Sequence, residues 1–113
     1  MPGSSDDSSI EERFAGLVRA LADEPGVELS AGRRGFGRGT LQVTGRIFAM
    51  ISHGRLVLKL PRARVAELIG SGAGGPFDAG KGSPLAEWIV LGDADQATWL
   101  ALAREAAGFV RRA

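Results

Sequence analysis

Two places in this 113-residue chain bring together side chains that could do bond-making chemistry. The first is His53, the only histidine, which follows Ser52. An imidazole acts as a base when a carboxylate holds it and a nucleophile touches it in a cleft that excludes water. Neighbouring strand residues point to opposite faces, and no acidic residue lies near in sequence, so His53 is expected to be a solvated turn residue. The second is a run of glycines. "GSGAGG" sets Gly70, Gly72 and Gly75 in a G-x-G-x-x-G pattern, but that fingerprint works only where it leaves a strand and opens a helix. Here it follows a helical pattern and runs into Pro76. "GPFDAGKG" places Gly75, Gly80 and Lys81 at phosphate-loop spacing. Gly82 stands where a magnesium-holding hydroxyl belongs, with Ser83 one position late. No catalytic residue, cofactor site or metal ligand set is expected. The absence of cysteine removes disulfides and thiolate chemistry as well.

Charge is distributed unevenly. From Leu29 to Ala66 there is no acidic residue, yet this stretch holds eight of the fourteen basic side chains: Arg33, Arg34, Arg38, Arg46, Arg55, Lys59, Arg62 and Arg64. Guanidinium groups donate paired hydrogen bonds to phosphates, so Arg33, Arg34, Arg38, Arg46, Arg55 and Lys59 are the candidates for nucleic-acid or anion contact. "GRRGFGRG" is similar to arginine-glycine segments that bind single strands. The competing reading is a solvated sheet edge whose charges discourage aggregation, and a net charge of +1 favours it.

These residues need elements to position them. Ile10, Phe14, Leu17, Val18 and Leu21 form one helical stripe, with Ser9 and Glu12 spaced as a capping box and Pro25-Gly26 as the stop. "VELS" reads as a short strand, residues 31–39 as a loop and "TLQV" as the next strand. "RIFAMIS" and "RLVLKL" then flank His53-Gly54, which suits a two-residue hairpin turn. In that register residue i faces residue 107 − i. Ile51, Leu56, Ala49, Leu58, Ile47 and Leu60 fall on one apolar face, while Phe48, Met50, Arg46, Arg55 and Lys59 fall on the other. Thr44-Gly45 makes a second tight turn, setting Val43 opposite Arg46 and Leu41 opposite Phe48. Pro61 opens a second helix with Val65, Leu68 and Ile69 inward and Gly70 as its cap. A glycine-rich loop leads to the strand "AEWIVL". Asp93 and Gln96 are spaced to cap a last helix carrying Trp99, Leu102, Ala103, Ala106, Phe109 and Val110 inward. Trp88 and Trp99 are expected in the core, and Asp23-Glu24 in solvent.

The pattern is an α+β fold: an antiparallel sheet with a central meander, packed by N-terminal, middle and C-terminal helices. Residues 1–8 are expected as a flexible tail and 9–113 as one domain. The start "MPGSSDDSSIEE" lacks the basic and apolar regions of a signal peptide, so a cytoplasmic protein without membrane contact is expected.

Phe36-Gly37 before a strand, "VTGRIFAMI", "GRLVLKLP", Phe77 in the glycine-rich loop, "LAEWIVL" and the alanine-rich last helix occur in an order that resembles the TfoX N-terminal-domain family, related in shape to YjbR-like proteins. The resemblance covers residues 10 to 112. It implies a compact α+β domain with no catalytic residues, acting as a regulatory or interaction module. Fuller members are competence regulators with a second domain, so a competence role is not expected to carry over to these residues, and Leu41 stands where the family often has tyrosine. Two alternatives stay open: a homodimer joined through a sheet face or the last helix, and a small-ligand site under the Gly70–Pro84 loop with Lys81 beside it.

Overall fold

The computed structural model describes residues 5–30, 40–52, 54–78, 85–92 and 94–112. The elements run α1 (Ser5–Ala20), β1 (Val27–Ser30), β2 (Thr40–Val43), β3 (Arg46–Ser52), β4 (Arg55–Lys59), α2 (Arg62–Gly70), β5 (Gly74–Pro76), β6 (Trp88–Leu91) and α3 (Gln96–Arg112). Among the described residues this is an α+β fold. It has three helices and a six-stranded sheet in the order β1-β2-β3-β4-β6-β5, antiparallel at every pairing. No helix among them is long and apolar enough to cross a membrane.

The hairpins follow from their turns. Ala49 pairs with Leu58, Met50 with Val57, Ile51 with Leu56 and Ser52 with Arg55, the register expected from a two-residue turn at positions 53 and 54. Gly54 has φ +75°, while His53 itself lies outside the described residues. Thr44 (φ 51°) and Gly45 (φ 84°) both adopt the left-handed region that a tight hairpin turn requires.

Between β2 and β3 the structure departs from the expected register. Val43 pairs with Arg46 and Gln42 with Ile47, but Leu41 pairs with Ala49 rather than Phe48. Phe48 is the extra residue of a β-bulge. One added residue is half a strand period, so everything before it changes face. Phe48 and Ala49 are consequently both fully buried, and Ile47, expected on the apolar face opposite Leu60, is half-buried outside the core cluster. Arg46, as the partner of core residue Val43, falls on the helix-bearing side of the sheet instead of beside Arg55 and Lys59.

The core lies between one sheet face and the helices. Leu41, Val43, Phe48, Ala49, Ile51, Leu56, Leu58, Leu60, Ile89 and Leu91 meet Phe14, Leu17 and Leu21 of the first helical stripe, Val65 and Leu68 of α2, and Trp99, Leu102, Ala103, Ala106 and Val110 of α3. Phe109 packs at its margin. α1 begins at Ser5, so Ser9 lies inside the helix, whereas a capping residue must stand at its boundary.

Helix ends also differ from the sequence reading. α2 stops in a Schellman arrangement: Ala73 N donates to Leu68 O and Gly72 N to Ile69 O. Gly72, at φ +86°, supplies the left-handed residue expected of Gly70. The chain then enters β5, a short edge strand inside the stretch expected to be all loop. There a Cβ on Gly74 would stand 2.4 Å from the Val90 carbonyl oxygen, so only glycine permits this approach to β6. At the start of α3 the cap is Asp95, whose Oδ1 accepts from Thr98 N at 2.9 Å. Asp93 lies outside the described residues. Gln96 serves the α1–α3 contact instead, with its Nε2 donating to Arg13 O at 2.9 Å and its Oε1 accepting from Arg13 Nε at 3.2 Å.

Candidate functional site: the open face of the sheet

Cross-strand partners share a face, so the pairings sort the sheet into two sides. The buried helix side chains all join the cluster on one side. On the other side, Thr40, Met50, Val57, Val90 and Gly75 are paired in turn and make one row across five strands. Ser52 and Arg55 flank this row towards one end of the strands. Lys59 and Trp88 flank it towards the other end, where Glu28, Gln42 and Ile47 are also paired across the sheet. Val57 is fully buried yet outside the helix-side cluster, between strand neighbours Met50 and Val90.

At the Lys59 end an aromatic group gathers. The Phe77 and Trp88 ring centroids are 6.3 Å apart, and Lys59 Nζ lies 5.7 Å from the Trp88 ring. Glu87 Oε1 is 4.0 Å from the same ammonium, a long contact between partly exposed groups. Trp88, expected in the core, is thus half-buried on the open face. Trp99 is the core indole, only 2% exposed, with the Arg13 guanidinium stacked 3.8 Å from its ring centroid. Arg13 Nη2 also donates to Ala94 O. The alternation in "WIVL" carried the signal for Trp88: Ile89 and Leu91 face in, Trp88 and Val90 face out.

The basic residues are divided among several places. Arg33, Arg34 and Arg38 lie outside the described residues. Arg55 and Lys59 share the open face. The bulge moves Arg46 to the other side. Arg64 is committed to structure: its Nε and Nη2 reach Glu105 at 2.9 and 3.1 Å, and its Nη1 reaches Glu67 at 2.7 Å. Its hydrogen bonds to the Glu105 carboxylate, then to that of Glu67, raise its pKa further above the ordinary arginine range. Arg62 is exposed and borders an apolar groove of about 200 Å³ lined by Val65, Ile69, Pro76, Leu85 and Trp88. A second groove, of about 370 Å³ and lined by Arg55, Gly72, Gly74, Gly75, Pro76 and Val90, lies along the glycine-rich stretch where a ligand site was expected, and Lys81 lies outside the described residues.

Glu24 corrects another expectation. Its side chain is 21% exposed and bridges Arg104 at 3.4 Å and Arg111 at 3.3 Å, fastening the turn after α1 to α3. Both partners lie at least eighty residues further along the chain, beyond the reach of any local pattern. Among the described residues no three acidic or imidazole groups gather as a metal site.

No family model matches this sequence, and no curated protein or solved structure matches it.

Proposed function

We propose that this chain is a non-enzymatic interaction module of the TfoX N-terminal, YjbR-like kind, acting in the cytoplasm, and that the open sheet face is its contact surface. One observation carries the reading. The sheet has a second apolar row, Met50, Val57 and Val90, with an aromatic pair at its margin and no described helix packed on it. Apolar strips bordered by polar groups mark surfaces that meet a partner. The order of helix, strand, meander, helix and last helix supports the family reading.

A photoreactive side chain placed at position 90, with another at exposed Ala101 on α3 as control, tests the surface. Crosslinks in cells are expected from position 90. Crosslinks from position 101 alone would overturn the proposal.

A second reading, contact with single-stranded nucleic acid, is favoured by Lys59 and Arg55 sharing a face with Trp88 and Phe77, since such proteins combine cations with stacking platforms. It requires oligonucleotide binding that weakens steeply with salt, by roughly −0.7 per phosphate contact in the log–log slope. Binding absent at low salt, or indifferent to salt, removes it.

A further inference from the structure

We infer that the outer edge of β5 takes up an extended peptide segment as an added strand, and that this segment carries an apolar side chain followed by an acidic one. The site is separate from the open-face reading and does not rest on it. β5 ends the sheet, and its neighbours fix which of its backbone groups are used. Gly92 N donates to Ala73 O at 2.9 Å, and two residues further on Gly75 pairs with Val90. Bonded pairs alternate along an antiparallel ladder, so Gly74 and Pro76 turn their backbone groups outward. Gly74 thus offers an amide N–H and a carbonyl, and Pro76 a carbonyl, with no strand beside them among the described residues. Proline suits such an outward position, where no ladder donor is needed. Unpaired strand groups in this geometry are met by the backbone of an extended chain.

Two grooves flank this edge, one on each side of the sheet. On the helix side Val65, Ala66 and Ile69 of α2 line about 200 Å³ together with Pro76 and Leu85. That is below the roughly 300–1,000 Å³ of a small-molecule site, and it suits one inserted side chain. On the open side Gly74, Gly75 and Val90 border about 370 Å³ together with Arg55. No acidic side chain lines either groove, and neither Arg55 nor the Arg62 that borders the first forms an ion pair among the described residues. A carboxylate is the complement of these cations. Gly74 and Pro76 pair with Leu91 and Ile89 and so share the helix side, whereas Gly75 pairs with Val90 on the open side. A peptide antiparallel to β5 therefore sets its apolar residue opposite Pro76, towards the α2 groove. The next residue, acidic, stands opposite Gly75 and turns towards Arg55. The third stands opposite Gly74 and exchanges two backbone hydrogen bonds with it.

Titration of the full chain with the blocked peptide Thr-Val-Thr-Leu-Glu-Val-Thr, followed by amide NMR and hydrogen exchange, tests the inference. Binding is expected to shift the Gly74 and Gly75 amides and to slow exchange at Gly74, with the Met50 amide unmoved. Methylating the amide of the Val that follows Glu removes the bond to Gly74 O and should weaken binding about tenfold. Methylating the Glu amide, which points away from β5, should leave it unchanged. Arg55→Glu should weaken binding about tenfold, and a peptide with Lys in place of Glu should recover it in that variant. Ala66→Glu, at an exposed helix position that leaves the fold intact, should fill the apolar groove and abolish binding. No binding up to millimolar peptide overturns the inference, as does binding that ignores the methylated Val amide or survives Ala66→Glu. Shifts centred on Met50 and Val57 would overturn the edge site in favour of the open face. Protection of Gly74 without crosslinks from position 90 would leave the edge site standing and remove the open-face reading.

Discussion

Leu58 and Val57 are neighbours in β4, both fully buried, and they belong to different parts of the molecule. Leu58 points into the space between the sheet and the helices. Val57 points the other way, between the strand partners Met50 and Val90. The two faces of one sheet thus differ in whether the helix-side cluster includes them. One is covered by a second layer, which holds the fold together. The other carries no described helix and holds the row Met50, Val57 and Val90. Low exposure of a single residue does not distinguish them; the set of residues it touches does.

Three substitutions or pairs of substitutions separate the faces further. Truncating Leu58 to alanine leaves a hole beneath the helices and should cost about 2–5 kcal/mol. Val90→Ala removes two methyl groups from a half-buried site and should cost about 1 kcal/mol. Urea unfolding at dilute concentration measures both. Equal losses would mean that the open face stabilises the monomer as much as the core does. The glycines of β5 give the next contrast. Gly74→Ala drives a Cβ into the Val90 carbonyl and the Ile89 side chain, and overpacking of this kind costs about 1–3 kcal/mol. Gly75, one residue along and on the open face, has nothing within 4 Å of the added atom. Gly75→Ala should be neutral or stabilise by about 0.4–1 kcal/mol through the unfolded chain.

The smallest effect concerns charge on the helix side. Hydrogen bonds from Thr98, side chain first and then backbone, hold the Asp95 carboxyl below its ordinary pKa. A carboxyl depressed in the folded state contributes fully above its unfolded value of about 3.9 and loses that contribution as pH falls through the folded value. Asp95→Ala should therefore lower Tm near neutral pH, with the gap to wild type narrowing below about pH 4. A gap independent of pH would show that the cap acts without its charge. Association through the open face should not change with Asp95→Ala at neutral pH, because Asp95 lies on the helix side.

Much of the architecture could be read along the chain. The β3–β4 register, the stripes of α1 and α3, and the turns at Thr44-Gly45 and Gly54 depend on residues within a few positions of one another, and they stand as expected. The misreadings share a physical cause. "RIFAMI" offers apolar residues at both parities, so nothing local announces that Phe48 is the bulge, and the bulge decides which side receives Ile47 and Arg46. The cap at Asp95 and the Schellman glycine at Gly72 each lie two residues from the positions first chosen, since several residues near a helix end can cap it equally well in sequence. The candidate site was legible only in part: Arg55 and Lys59 stayed together, whereas Trp88, Phe77 and Glu28 joined them through pairings between distant strands.

By itself the sequence determined the three helices, five of the six described strands and how the central hairpin pairs, because short-range periodicity and turn chemistry act between neighbours. Only the tertiary structure decided which of two apolar sheet faces the helices cover. That choice depends on where the bulge reverses the alternation and on which side the three helices pack, and both are settled by contacts across the whole chain.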